Sequence, residues 1–267
     1  MYSHSRRRPI GIKAVILAGG FGSRLGEETT IRPKPLVEIG GKPIIWHIMK
    51  IYSCYGIDDF IICLGYKGHM IKEYFANYFL RNSDITFDIQ NQNMEIHRSS
   101  AEPWRVTLVD TGENSGTGGR LKQVMPYVSN DQYFCMTYGD GVGNVNLGKL
   151  ITFHQEQGAL ATVTATRPLP RFGIMQIDGN KITDFQEKPH GKTDWVNGGF
   201  FILSPEIGNY IEDDSEFWER APIRRIVAED QLRVFRHDGF WRPMDTIRDQ
   251  TTLESLWESG DAPWKIW

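Results

Sequence analysis

The stretch that constrains this chain most runs from Ala14 to Arg24, where Ala14-Val15-Ile16-Leu17 delivers the backbone straight into Gly19-Gly20-Phe21-Gly22-Ser23-Arg24. A short continuous apolar run bounded by glycines reads as a strand buried on both faces, the pattern of a parallel sheet covered by helices. The glycines that follow leave several backbone N–H groups open to close approach, the arrangement that cradles a polyphosphate. The same glycines also fit a tight turn with no ligand, so the loop alone leaves both readings open. Two familiar phosphate loops are excluded by spacing. Counted from Gly20, a dinucleotide fingerprint requires glycine where Leu25 stands, and a P-loop requires Gly-Lys-Ser/Thr where Arg24-Leu25 stand.

The pattern that starts here continues. Pro43 opens a helix with Ile44, Ile45, Ile48 and Ile51 on one face, and Gly56 is its stop. A second buried strand follows at Phe60 to Leu64, and Ile71, Tyr74, Phe75, Tyr78 and Phe79 keep the spacing of one amphipathic helix. Val106 to Val109 and Tyr133 to Thr137 continue the strands, with a helix around Leu121 to Met125 between them. Alternating strands and helices predict right-handed crossovers onto a parallel sheet. Gln90 to Ser100 is polar and unperiodic and reads as an excursion near the site or at a subunit contact. Thr162 to Thr166, Ile174 to Ile177, Ile182 to Phe185 and Gly199 to Leu203 are all extended, which predicts antiparallel members added to the first-half core. The last helix starts after Asp245-Thr246 and carries Leu253, Leu256 and Trp257. The expected fold class is α/β, a mixed, mostly parallel central sheet flanked by helices with smaller β insertions. Residues 12–267 are expected to form one domain and residues 1–11 a flexible extension.

Bulk properties narrow the partners. A formal net charge of -3 gives no global positive field for a nucleic-acid backbone, so phosphate binding must be local and small phosphorylated ligands fit better than polymers. Cys54, Cys63 and Cys135 are odd in number and lack ligand spacing, which predicts buried free thiols, no disulfide, no zinc and a reducing, cytoplasmic setting. Arg6, Arg7 and Arg8 ahead of Ile12 to Ala18 imitate a secretory signal, but Lys13 interrupts that run and glycines follow it at once. No segment has the apolar run of about 20 residues that a membrane helix requires, so no membrane partner is expected.

Four charged residues stand out. Arg32-Pro33-Lys34-Pro35 holds Lys34 between two prolines that favour extended backbone, at a set distance from the glycine loop. A surface lysine is ordinarily just solvated; paired with Arg24 beside a backbone anion nest, it suits a triphosphate. Asp140, in Tyr138-Gly139-Asp140-Gly141, follows a strand at the edge where α/β sheets bind ligands and is placed to hold a metal ion, although an Asp-Gly turn explains it equally. Taken alone, Asp245 reads simply as the N-cap of the last helix, and sequence alone does not bring it to Asp140. His47 and His154 lie in predicted helices without metal spacing and read as packing, as do Trp46, Phe75 and Tyr78.

Leu17-Ala18-Gly19-Gly20-Phe21-Gly22-Ser23-Arg24-Leu25, followed by Arg32-Pro33-Lys34-Pro35-Leu36, resembles the signature of the sugar-1-phosphate nucleotidyltransferases. Gly118-Gly119-Arg120-Leu121-Lys122, Tyr138-Gly139-Asp140-Gly141, Phe185-Gln186-Glu187-Lys188-Pro189 and Val196-Asn197-Gly198-Gly199-Phe200-Phe201 keep the family's order, so the likeness extends from Ile12 onward. The Thr-Gly-Gly-Arg-Leu-Lys run from Thr117, the Phe-Trp-Arg-Pro-Met-Asp-Thr run from Phe240 and the tryptophan-rich end Ala262 to Trp267 are similar to the branch that uses CTP and glucose 1-phosphate.

The resemblance implies a Rossmann-like core, Mg²⁺, homo-oligomeric assembly and a nucleotide-sugar product of the kind used in bacterial surface polysaccharide. It implies a nucleotide held by Leu17, Ala18, Gly19, Gly20, Phe21, Gly22, Ser23 and Arg24 with Lys34, Ser115, Arg120 and Gly139. Catalytic roles fall on Arg24, Lys34 and Asp140, the metal on Asp140 and Asp245, and the sugar phosphate on Glu187, Lys188, Asn197 and Gly198. Ser23 departs from the threonine common in the family but keeps the hydroxyl. Rival readings are a uridylyl- or thymidylyltransferase and a non-catalytic nucleotide-sugar sensor, against which Lys34, Asp140 and Asp245 argue. A dinucleotide-dependent oxidoreductase is the third, and Leu25 speaks against it.

Overall fold

The computed structural model describes residues 11–168, 174–178, 180–186 and 194–267. Its frame is a seven-stranded sheet in the order Leu232–His237, Ala161–Thr166, Val196–Leu203, Phe134–Tyr138, Lys13–Leu17, Asp59–Leu64 and Arg105–Asp110. Val196–Leu203 runs antiparallel to both of its neighbours and every other pairing is parallel, so the mixed, mostly parallel sheet forms as expected. Ala14-Val15-Ile16-Leu17 is buried between two parallel neighbours. Ala14 and Ile16 pack with Ile45 and Ile48 of the helix Ile44–Ser53, whereas Val15 and Leu17 pack with Leu121 and Val124 of the helix Thr117–Val128. A strand covered on both faces needs no polar alternation, which is why this run reads as uniformly apolar.

Several elements differ from the sequence expectation. The excursion read over Gln90 to Ser100 is the tip and second strand of a hairpin, Ser83–Asp88 paired with Asn93–Ser99. Most of its residues are exposed on both faces, so no buried face imprints a period of two on the sequence. The single helix expected across Ile71 to Phe79 is broken at Asn77 into Gly68–Ala76 and Tyr78–Arg81. The helix placed around Leu121 to Met125 is longer, Thr117–Val128, and holds Pro126 in its last turn. Among the described residues, Ile174–Asp178 and Lys181–Gln186 pair only with each other and do not join the main sheet as expected. Of the three free thiols, Cys63 and Cys135 are buried, but Cys54 is exposed just past a helix end.

The last helix is Ile247–Glu258. Thr246, not Asp245, is its N-cap, closing a capping box with Asp249 and leaving Asp245 outside the helix. Its Trp257 and, beyond it, Trp264 and Trp267 pack onto Ile44–Ser53, with rings 4.8 to 6.2 Å from the His47 ring. His47 is fully buried, with Nε2 2.8 Å from the Ile39 carbonyl and Nδ1 3.4 Å from Trp264 Nε1. It serves packing, and burial pulls its pKa down to about 4. Among the described residues no helix is long and apolar enough to cross a membrane.

Candidate active site

One cavity of about 520 Å³ opens where the strands Lys13–Leu17 and Phe134–Tyr138 end. Leu17 through Arg24, Lys34, Ser115, Arg120, Gly139, Asp140 and Asp245 all line it, so residues as distant in sequence as Arg24 and Asp245, 221 positions apart, share one space. Asn197 and Gly198 open the strand Val196–Leu203 and stand off this lining, but Asn197 Nδ2 donates to the cavity residue Tyr138 at its Oη, 3.2 Å away. Glu187 and Lys188 lie outside the described residues.

The acidic pair is assembled by backbone pairing. Gly141–Gly143 runs antiparallel to Trp241–Pro243, and the Met244 amide donates to the Asp140 carbonyl at 2.8 Å, which sets Asp245 beside Asp140. Lys34 Nζ donates to Asp140 Oδ2 at 2.8 Å and to Asp245 Oδ1 at 2.6 Å. Burial pulls the Lys34 pKa down, but the two carboxylates outweigh it and hold the ammonium above its usual value. The backbone is extended at Arg32 and Pro33 as expected, but not at Lys34. Lys34–Leu36 is a single 3-10 turn, tolerated because Pro35 stands where the turn uses no N–H. Arg24 Nη1 reaches Asp245 Oδ2 at 3.4 Å from a side chain that is 78% exposed.

Arg120 lines the same cavity with its guanidinium turned to the chain. It donates to the carbonyls of Leu64, Gly112, Gly19 and Glu113 and to Thr111 Oγ1, all within 2.7 to 3.0 Å. The glycine loop and the segment Thr111 to Glu113 are thereby tied to one side chain. A Cβ on Gly19 would stand 2.1 Å from that guanidinium, so glycine is required there for the approach.

The opposite wall has no counterpart in the sequence reading. Gly116 N donates to the Asp214 carbonyl, and Gly118 N and Gly119 N to that of Glu216, so chain carbonyls satisfy the N-terminus of the helix Thr117–Val128. A Cβ on Gly116 would lie 2.1 Å from the Glu216 oxygen, and one on Gly119 2.0 Å from that of Asp214. This docking brings Phe217 to the cavity and Glu219 to two of its lining residues, Tyr138 and Thr117. One Glu219 oxygen accepts from Tyr138 Oη at 2.5 Å and the other from Thr117 Oγ1 at 2.7 Å. Burial, then the Glu219 carboxylate, pushes the Tyr138 phenol well above its usual value, so it stays protonated and donates. The only signal that could have marked this wall is the run of glycines around Thr117, and that run names no partner.

The donor set also suits a divalent cation. Asp140 and Asp245 both reach one point, the Lys34 nitrogen, in the cavity that the glycine loop also lines. Mg²⁺ takes one or two carboxylates and completes its octahedron with phosphate oxygens and water. Among the described residues no group of three His, Cys, Asp or Glu side chains forms a cage that would bind metal without a substrate.

Fold and cavity together define a class of enzyme: the chain belongs to the nucleotidyl transferase family, which matches residues 13–258. Within it, the glucose-1-phosphate cytidylyltransferase of Salmonella typhi is 56% identical over 256 residues, covering 96% of this chain and 100% of that protein. A probable glucose-1-phosphate cytidylyltransferase of Bacillus subtilis (strain 168) is 41% identical over 257 residues, covering 96% of this chain and 100% of the relative. Among solved structures, HddC from Yersinia pseudotuberculosis superposes with a TM-score of 0.67 at 22% identity, covering 92% of this chain and 100% of its own. A UDP-glucose pyrophosphorylase complexed with UDP-glucose gives 0.67 at 16% identity, covering 93% and 99%. These two show that the fold is shared.

Proposed function

We propose that this chain transfers a cytidylyl group from CTP to α-D-glucose 1-phosphate, giving CDP-glucose and pyrophosphate. The reading is carried by the 56% identical relative of that activity, which aligns over the whole cavity-forming chain. The convergence of a glycine loop, two cations and two carboxylates in one cavity supports it.

An oxygen of glucose 1-phosphate attacks the α-phosphorus of CTP in line and pyrophosphate leaves. That nucleophile is anionic at neutral pH, so the protein supplies alignment and charge rather than a general base. Gly19 to Gly22 offer backbone N–H groups to the triphosphate, and Ser23 its hydroxyl. Arg24 and Lys34 bring positive charge, Lys34 held at a fixed point by Asp140 and Asp245. Asp140 and Asp245 are the residues that would hold Mg²⁺, which when bound neutralises charge on the phosphates. Arg120 holds the loops that bound the nucleotide, Ser115 and Gly139 complete its wall, and Asn197 and Gly198 take the sugar phosphate with Glu187 and Lys188.

We further assign residues 12–267 to one catalytic domain and the protein to the cytoplasm, where its three thiols stay reduced. The product places the enzyme in nucleotide-sugar supply for surface polysaccharide. A second copy of the chain covers the hairpin of Ser83–Asp88 and Asn93–Ser99, which exposes Phe87, Ile89, Met94 and Ile96. An isolated two-stranded hairpin is marginal in water, and Asp84 and Glu95 beside His97 and Arg98 allow a self-complementary contact. Light scattering of Ile96→Asp against the parent chain tests this; an unchanged molar mass overturns it.

The deciding measurement is pyrophosphate release from glucose 1-phosphate with Mg²⁺, comparing CTP, UTP, dTTP, ATP and GTP at equal concentration. CTP is expected to lead. A lead for another base discards the cytidylyl reading and keeps the chemistry, and silence with all five points to a different sugar phosphate or a sensor.

A further inference from the structure

Tyr138 sits between the nucleotide cavity and the strand that carries Asn197, and its hydroxyl has one proton to give. That proton goes to Glu219 Oε1 at 2.5 Å, a hydrogen bond to a charged acceptor and so about twice as strong as a neutral one. With its proton committed, the hydroxyl can only accept from the other side, and Asn197 Nδ2 donates to it at 3.2 Å. The Asn197 carbonyl in turn accepts from the Gly199 amide at 2.8 Å. The amide is thus held in one orientation, with one Nδ2–H left over. The second Glu219 oxygen is anchored by Thr117 Oγ1 at 2.7 Å, and Thr117 Oγ1 itself accepts from the Trp218 amide at 2.9 Å.

We propose that Glu219 is a positioning residue for the sugar phosphate, acting through the Tyr138 hydroxyl to set the Asn197 amide with an N–H facing that substrate. The proposal rests on the assignment of Asn197 to the sugar phosphate made above. Because Glu219 rides on the segment docked against Gly116, Gly118 and Gly119, its wall of the nucleotide cavity and the sugar side share one rigid link. Without the carboxylate the Tyr138 proton is free to turn, and the Asn197 donor loses its fixed acceptor.

The test is steady-state kinetics with each substrate varied in turn, on the parent chain and on Glu219→Ala, Glu219→Gln, Tyr138→Phe, Asn197→Ala and the double variant Glu219→Ala/Tyr138→Phe. Glu219→Ala and Tyr138→Phe are expected to raise KM for glucose 1-phosphate by about three- to tenfold and to hold KM for CTP within about twofold. Glu219→Gln keeps an acceptor for Tyr138 and restores most of the loss, and the double variant is no worse than either single one because both break the same link. Tyr138→Phe removes a single oxygen, so it decides the question even where Glu219→Ala fails to fold. Equal rises in both KM values, or losses that multiply in the double variant, overturn the proposal. If Asn197→Ala raises KM for glucose 1-phosphate and neither Glu219→Ala nor Tyr138→Phe does, the link falls and the assignment of Asn197 stands. If Asn197→Ala leaves that KM unchanged, assignment and link fall together.

Discussion

Two glycine-rich segments flank the same cavity and do opposite things. At Gly20 an added Cβ would meet nothing within 4 Å, so that backbone is bare toward the space it borders. Gly116, Gly118 and Gly119 are as rich in glycine, yet their space is filled by the carbonyls of Asp214 and Glu216. The first segment is open at Gly20 and packed only against a side chain, that of Arg120, at Gly19; the second gives its N–H groups to chain carbonyls. A run of glycines therefore reports close approach of something, and only the three-dimensional structure says whether that something is substrate or backbone.

The largest effect belongs to Gly119→Ala, whose Cβ would meet the Asp214 backbone at 2.0 Å. Undocking the 214–219 segment is expected to cost about 3 kcal/mol, read as a lowered urea midpoint, and to impair turnover as well. A midpoint equal to the parent's would mean that the second segment is not needed for docking.

Next comes acid lability, which should arise outside both segments. His47 has a folded pKa of about 4 against 6.5 for an ordinary histidine, so the unfolded chain binds the proton first. Stability from this group is complete above pH 6.5 and declines as pH falls toward 4, by up to roughly 3 kcal/mol. Denaturant curves for His47→Gln should show that part of the slope removed, and parallel pH profiles for the two proteins would refute the assignment.

Lys34→Ala follows. Losing one buried charge-assisted contact typically costs about 1.5–3 kcal/mol, here expected as a drop in kcat of one to two decades with the fold retained. Unchanged kinetics would remove Lys34 from the machinery. The smallest effect on stability is that of Gly20→Ala, within about 0.5 kcal/mol of the parent because the methyl group meets open space. Its CTP affinity should nonetheless fall, and a titration showing full affinity would undo the contrast between the two segments.

The sequence was most legible where burial is two-sided and least where it is absent. Ala14 to Leu17 and Phe60 to Leu64 announce themselves as apolar runs, and both are interior strands. The Ser83–Ser99 hairpin leaves no such trace because most of its residues are exposed on both faces. From sequence the helix Thr117–Val128 looks short because three glycines at and near its start and Pro126 near its end count against a helix locally, while tertiary docking decides otherwise. The cavity residues on the first glycine loop, Lys34 and Asp140 were readable from chemistry and neighbouring strands. The pairing of Asp140 with Asp245 depends on strand contacts between Gly141–Gly143 and Trp241–Pro243 that no local spacing encodes. Phe217 and Glu219 had no signal of their own, since an aromatic and an acid in a polar stretch are unremarkable until the chain is folded.

The ion pair between Lys34 and Asp245 joins positions 211 residues apart. At about 5–20 residues per second, a ribosome that has made the lysine needs roughly 10–40 s more to make its carboxylate partner. During that interval the glycine loop exists and the acidic pair does not. Lys34 therefore gains the second of the two carboxylates that hold it only after residue 245 has been added.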